Sequence, residues 1–177
     1  MKPHLVFLIF LFFSFTAFAQ KNCGFVPDTI KILNDKNVDL FLQRLKTDKF
    51  EICTSKKQIP QHITKILKCL NNGEFSISEL NGEYQDSDII EDENIPSRGL
   101  IFLAKNENTL IICYGLSSGP GISSKILLID YDKKGINDLW VGTTAWTRKL
   151  ETIEGTFSFV TALIKQNKVF KSNYLYF

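Results

Sequence analysis

Four apolar runs with the character of β-strands follow one another between residues 100 and 145. They occupy residues 100–104, 109–114, 126–131 and 139–145 and are rich in β-branched and aromatic side chains. The polar segments 105–108 and 132–135 have the length of hairpin connections. The pattern predicts the central strands of one mainly antiparallel sheet.

Two amphipathic helices are predicted before these strands. Asn37 opens the first, since apolar side chains recur at i, i+3, i+4 and i+7 from Val38. Pro60 suits the first position of the second, which ends at the C-cap signal in residues 71–73. We expect both helices to pack on one face of the sheet and the C-terminal segment to cover the other.

Two segments fit both a helix and a strand. Residues 75–78 alternate like a strand, but Ser76 and Glu79 also have the spacing of a helix capping box. Residues 156–164 fit a helix slightly better than one strand of a hairpin. The overall prediction is an α+β fold with a mainly antiparallel sheet of about five to six strands.

The first nineteen residues have the layout of a secretory signal peptide. Lys2 precedes an apolar run at 5–15, and the small residues Ala17 and Ala19 precede an expected cleavage before Gln20. The run is short for a membrane span, and no later segment approaches one. We therefore expect a single globular domain, residues 20–177, located in the periplasm or secreted.

The charge balance excludes a basic surface of the kind that binds nucleic acid. The chain has 21 basic and 19 acidic side chains, and removal of Lys2 with the signal peptide brings the two closer still. No stretch is basic enough to neutralise a row of phosphates or an anionic membrane surface. Nucleic acid is therefore not an expected partner.

All four cysteines remain after the expected cleavage. An even number in an exported chain favours disulfides, and three complete pairings are possible. Cys113 lies inside an apolar run, where a buried thiol is the alternative. The disulfide candidates are Cys23, Cys53, Cys69 and Cys113, and a bridge from Cys53 to Cys69 would hold the connection between the two helices.

The sequence from Gly115 to Gly119 matches the G-x-S-x-G pattern of a serine nucleophile. That motif requires a helix after the serine, whereas Pro120 and another strand-like run follow here. The only histidine after the signal peptide is His62, which lies upstream on a helix. We interpret the segment as a connection between strands, with a small serine hydrolase as the less favoured reading.

No metal or cofactor site is predicted. His62, Cys69 and Cys53 match no zinc spacing, and an exported chain favours disulfides over thiolate ligands. The acidic segment 83–93 has oxygen ligands for Ca²⁺ but lacks the residue order of an EF-hand loop.

The acidic segment is instead predicted to be a surface loop that docks on a basic protein surface. Clustered carboxylates steer association with cationic partners and make binding sensitive to salt. Exposed loops on a rigid sheet often carry binding residues, so the segment 115–121 and Trp146 are added as contacts. The predicted partner-binding residues are Asp86, Asp88, Glu91, Asp92, Glu93, Ser117, Ser118 and Trp146.

These observations favour an exported, non-enzymatic protein that binds another protein. The specific hypothesis is an inhibitor, or an immunity protein that neutralises a toxin in the periplasm. The alternative is a cell-envelope structural or carbohydrate-binding module that uses aromatic side chains to stack on sugars. The candidates for such stacking are Trp140, Trp146, Tyr84, Tyr114 and Tyr131.

Overall fold

The described part of the chain forms an antiparallel sheet with helices on both faces. In a computed structural model of the protein, the described residues are 22–85, 92, 94–118, 121–145 and 150–165. The helices are α1 (Thr29–Leu33), α2 (Val38–Thr47), α3 (Gln61–Leu70) and α4 (Ile153–Lys165). The strands are β1 (Glu51–Ile52), β2 (Arg98–Lys105), β3 (Thr109–Ser118), β4 (Gly121–Tyr131) and β5 (Ile136–Ala145). The predicted α+β fold with an antiparallel sheet is confirmed.

The five strands of the described sheet lie in chain order, each antiparallel to the next. The two hairpins predicted at 105–108 and 132–135 are present, because β2 pairs with β3 and β4 pairs with β5. Ile77 forms a parallel bridge with Arg98, so the extended alternative for residues 75–78 is correct. Residues 75–78 and the short strand β1 cover different parts of the outer edge of β2.

Side chains of β3 alternate between two hydrophobic cores. Leu110, Ile112 and Tyr114 belong to the core that contains α3, whereas Ile111 and Cys113 belong to the core that contains α2 and α4. Successive strand residues point to opposite sides of a sheet, so these cores lie on its two faces. We call them the α3 face and the α2 face.

The prediction that both N-terminal helices pack on one face is wrong. Phe41 of α2 is fully buried on the α2 face, and Ile63 of α3 is fully buried on the α3 face. The reason lies in β4, where residues 126–129 are apolar and buried on both sides of the strand. Each face requires its own cover. Because the C-terminal helix joins α2 on the α2 face, α3 is the helix that covers the other face.

The C-terminal segment of the described chain is a helix, as the slightly favoured reading predicted. α4 begins beside Thr152, whose hydroxyl accepts a hydrogen bond from the Gly155 backbone N–H at 2.9 Å. Val160 is completely buried on the α2 face. The helix therefore shares this face with α2, and the strand alternative for the segment is wrong.

Candidate functional site

The predicted partner-binding residues that the structure describes lie at or near one end of the sheet. β2 begins there at Arg98, β3 ends at Ser118, β4 begins at Gly121 and β5 ends at Ala145. We call it the Ser118 end and the other the Asp132 end. Antiparallel pairing makes these four strand ends neighbours, although their sequence positions are up to 47 residues apart.

Asp92 is the described member of the acidic segment and is exposed. Its carboxylate accepts a hydrogen bond from the Asn94 backbone N–H at 2.8 Å, and its carbonyl accepts one from the Gln85 side chain at 2.7 Å. The Gln85 backbone N–H donates to the Pro96 carbonyl, which anchors this segment just before β2. The other predicted contacts in the acidic segment and after β5 lie outside the described residues: Asp86, Asp88, Glu91, Glu93 and Trp146.

Ser117 and Ser118 lie in β3, and the expected loop from Gly115 to Gly121 is largely strand. Ser117 is opposite Ile122, and Ser118 is opposite Gly121. Ser117 is half-buried. The segment is thus the tip of a long hairpin, which corrects its interpretation as an irregular connection.

His62 lies at the Asp132 end, where its Nε2 atom is 2.9 Å from the Asp132 carbonyl oxygen. Ser117 is opposite Ile122, ten positions before Asp132 along the β4 direction, which corresponds to roughly 33 Å of extended chain. His62 therefore cannot act as the base for Ser117. The serine hydrolase reading has no support from the position of this histidine.

The cysteines form one described disulfide, Cys23–Cys69, across 46 residues of sequence. Cys53 and Cys113 are buried free thiols, and burial raises the pKa of Cys113 to about 12. The bridge considered between Cys53 and Cys69 is wrong, because Cys69 closes the N-terminal segment onto α3 instead. Cys69 is consequently not a thiolate ligand, and the described residues contain no cluster of three metal-binding side chains.

Most of the aromatic side chains considered for sugar stacking are inside the protein. Trp140 and Tyr114 are fully buried, and Tyr131 is 8% exposed. The Trp140 indole N–H donates to the Asp35 carboxylate at 3.0 Å. Tyr84 packs against Gly99, where its ring atoms lie 2.4 Å from the position a Cβ would occupy. These positions argue against an aromatic platform built on the described strands.

A row of buried polar side chains crosses the α3 face near the Ser118 end. Tyr114 on β3 is directly opposite Lys125 on β4, and Arg98 lies at the start of β2. Arg98 is 7% exposed, Lys125 is 5% exposed and Tyr114 is fully buried. We call these three residues the cation row.

Aromatic rings hold the guanidinium of Arg98 in place. Its Cζ atom lies 5.1 Å from the centroid of the Phe75 ring and 5.9 Å from that of Tyr114. Arg98 also donates to the Glu74 carbonyl at 2.9 Å and to the Ser97 hydroxyl at 2.9 Å. The guanidinium is therefore fixed against the Tyr114 side of the row.

Burial sets the protonation behaviour of the cation row. Burial raises the pKa of Tyr114 far above its usual value, and the nearby Arg98 charge only partly opposes that effect. Burial lowers the pKa of Lys125, and the positive charge of Arg98 lowers it further. The row thus holds a neutral phenol between two cationic groups placed close together.

The cation row was not among the predicted sites. Its only signal in the sequence is a lysine between Ser124 and the apolar run at 126–129. A single lysine beside a strand is usually solvated, so the sequence does not distinguish it from a surface residue. The tertiary structure nevertheless leaves Lys125 only 5% exposed.

No protein-family model, curated protein or solved structure matches this chain. None of the helices in the described ranges is long and apolar enough to cross a membrane. The disulfide is compatible with an oxidising compartment outside the cytoplasm.

Proposed function

We propose that this protein is an exported, non-enzymatic binding protein that docks on another protein through the Ser118 end of its sheet. Its specific role is that of an inhibitor, or of an immunity-type protein that neutralises an enzyme or toxin in the periplasm. The partner presents a basic surface to the acidic segment.

The observation that supports this proposal best is the meeting of strand ends at the Ser118 end. Asp92 is exposed just before β2, and Ser117 and Ser118 lie at the end of β3, the strand next to β2. β5 ends at Ala145, the residue before Trp146. The described members of the predicted set, Asp92, Ser117 and Ser118, thus lie near one end of the sheet, where binding loops are often found.

The arrangement suits protein binding because the sheet faces are already occupied. The α2 and α3 faces each bury a hydrophobic core under helices. The inner surfaces of the sheet are therefore not free for a partner, whereas the strand ends and loops are accessible, and charges there act mainly on the rate and specificity of association.

The test begins with affinity capture by residues 20–177 from the envelope and secreted fractions. Binding of the captured protein is then measured after purification, at increasing salt. One variant neutralises the acidic segment by Asp→Asn and Glu→Gln changes at Asp86, Asp88, Glu91, Asp92 and Glu93. A control variant with the same charge change neutralises exposed acidic residues elsewhere: Asp39, Asp48, Glu51, Glu107 and Glu154.

We expect the acidic-segment variant to lose at least tenfold in the association rate constant at low salt, while the control stays within about twofold. The wild-type rate should also fall as salt rises, since the Debye length shortens to about 8 Å at physiological ionic strength. Equal losses in both variants, or retention of glycan alone, would contradict the proposal.

A further inference from the structure

A cavity of about 410 Å³ lies between α3 and the extended segment 75–77. Its volume is within the range of sites that hold small molecules. From α3 it is lined by Gln61, Thr64 and Lys68. These positions are three and four residues apart, so they share one side of the helix. We call this space the Lys68 cavity.

Three lysines line the Lys68 cavity, and in the described structure no acidic side chain does. Lys57 and Lys68 are exposed and take part in none of the described salt bridges. Lys56 is held in place, because its Nζ atom donates to the Ile77 carbonyl at 2.7 Å. The cavity is therefore positively charged, and two of its ammonium groups have no carboxylate bound to them.

Glu79 is a carboxylate close to these lysines, but it is bound by the backbone and does not line the cavity. It accepts a hydrogen bond from the Lys56 backbone N–H at 3.0 Å. This hydrogen bond is the main cause that lowers the pKa of Glu79, and the charges of Lys56 and Lys57 contribute less. Glu79 therefore leaves the Lys57 and Lys68 ammonium groups available to a ligand.

The backbone of Ile77 adds a hydrogen-bond donor. The Ser78 backbone N–H donates to the Arg98 carbonyl at 2.8 Å, so the N–H and C=O groups of Ile77 point away from β2. That C=O group accepts the bond from Lys56, which places this edge of the segment beside the cavity. No described group accepts a hydrogen bond from the Ile77 N–H. A carboxylate can accept bonds from this N–H and from an ammonium group at the same time.

The floor of the cavity is apolar. Ile59, Phe75 and Ile77 line it, and all three side chains are held in the core of the α3 face. A small hydrated ion such as phosphate would lose water over this floor without gaining contacts. An anion that carries an apolar group would instead remove apolar surface from water. The combination of charge and floor favours an amphipathic anion.

We propose that the Lys68 cavity binds a small organic carboxylate with an apolar chain or ring. The carboxylate contacts Lys57, Lys68 and the Ile77 N–H, and the apolar part lies on the floor formed by Ile59 and Phe75. This site shares no residue with the acidic segment and recognises the opposite charge. Its test is therefore independent of the proposed protein docking.

The test is an NMR titration of ¹⁵N-labelled residues 20–177 with sodium hexanoate at constant ionic strength. Acetate carries the same carboxylate with almost no chain, 1-hexanol carries the chain without the charge, and inorganic phosphate carries charge alone. Hexanoate should shift the backbone amides of Ile77, Thr64 and Lys68 in a saturable way. The other three probes should bind at least tenfold more weakly, since each lacks the apolar contact or the charge.

Two double variants with the same change in charge locate the site. Lys57→Met with Lys68→Met removes both ammonium groups from the cavity. Lys65→Met with Lys133→Met, the control, changes two exposed lysines that do not line it. The Kd for hexanoate should rise about tenfold in the first variant and less than twofold in the control. All four positions are exposed, so both variants should fold.

Three results would overturn the proposal. One is the absence of saturable shifts with hexanoate in the wild type, and another is a set of shifts that avoids the residues lining the cavity. The third is equal weakening in both double variants, because binding would then depend on the overall charge of the protein rather than on Lys57 and Lys68.

Discussion

Asp130 and Asp138 lie directly opposite each other on β4 and β5, so two carboxylates point to the same face of the sheet. Like charges at this spacing repel each other. Each is bound by its own cation from the helices: Arg44 donates to Asp130 at 2.7 Å, and Lys31 donates to Asp138 at 2.5 Å. The pair of ion pairs links α1 and α2 to the sheet.

Arg44→Met should destabilise the protein by about 2 to 3 kcal/mol. The Arg44 and Asp130 side chains are only 19% and 18% exposed, and Arg44 also donates to the Thr109 hydroxyl at 3.1 Å. The change leaves Asp130 facing Asp138 without its cation. Urea unfolding measures the effect.

A double-mutant cycle separates this ion pair from loss of packing. Asp130→Asn in the Arg44→Met background should cost much less than in the wild type, with a coupling energy of about 1 to 2 kcal/mol. Lys46→Met on the exposed side of α2 should change stability by less than about 0.5 kcal/mol. Additive effects of the two substitutions would rule out the ion pair as a stabilising contact.

Loss of the Cys23–Cys69 disulfide should destabilise the protein by about 2 to 4 kcal/mol. The bridge closes a loop of 46 residues, and its absence enlarges the unfolded ensemble. The double variant Cys23→Ser with Cys69→Ser should match the reduced wild type in urea unfolding. The double variant Cys53→Ala with Cys113→Ala, made as a control, should retain a reduction-sensitive midpoint.

Thiol titration should show two free cysteines that react only after unfolding. Cys53 is 1% exposed and Cys113 is fully buried, and burial raises the pKa of both thiols. Because the thiolate is the reactive form, both should be silent in the folded protein at neutral pH. A thiol reagent should detect two groups in denaturant and four after added reductant, whereas no free thiol in denaturant would indicate a second disulfide.

Lys125→Met should stabilise the protein at pH 7 in chloride buffer by about 1 to 3 kcal/mol, because it removes an unpaired buried charge. The gain should shrink as pH rises. The pKa of Lys125 is lowered from 10.5 in the folded state, so at alkaline pH the unfolded chain binds the proton better and wild-type stability rises toward that of the variant.

The comparison between wild type and Lys125→Met isolates Lys125 from its neighbours. Arg98 is the charged group that acts on Lys125 in the described structure, and it remains in the variant. Unfolding free energies from pH 7 to 10 provide the measurement. A difference independent of pH would mean that the folded-state pKa of Lys125 is not lowered.

Gly142→Ala should destabilise the protein by about 1 to 3 kcal/mol. A Cβ at this position would lie 2.5 Å from the Trp140 ring, which is completely buried. Asn137→Ala is an exposed change on the same strand and should cost less than about 0.5 kcal/mol. When Gly142→Ala is made in a Trp146→Phe background, a changed fluorescence spectrum would report movement of Trp140. If Gly142→Ala left the stability unaltered, the Trp140 ring would have moved at no cost and the prediction would be wrong.

Local pattern was enough to predict the elements that depend on neighbouring residues. The four central strands, the helix after Asn37 and the hairpins at 105–108 and 132–135 all appear where periodicity and turn residues indicated. α3 begins at Gln61, one residue after the predicted start at Pro60, which is its N-cap. Each of these features is set by spacing within a window of about ten residues.

The sequence by itself thus determined the four central strands, the helices α2 and α3 and the mainly antiparallel pairing of the sheet. Only the tertiary structure decided that α2 and α3 take opposite faces, that Cys69 pairs with Cys23, and that Lys125 is enclosed beside Arg98. Local periodicity shows that a helix or strand has an apolar side, but not which surface will cover it. Disulfide pairing and the burial of a single lysine depend on long-range packing, which the spacing of residues along the chain does not encode.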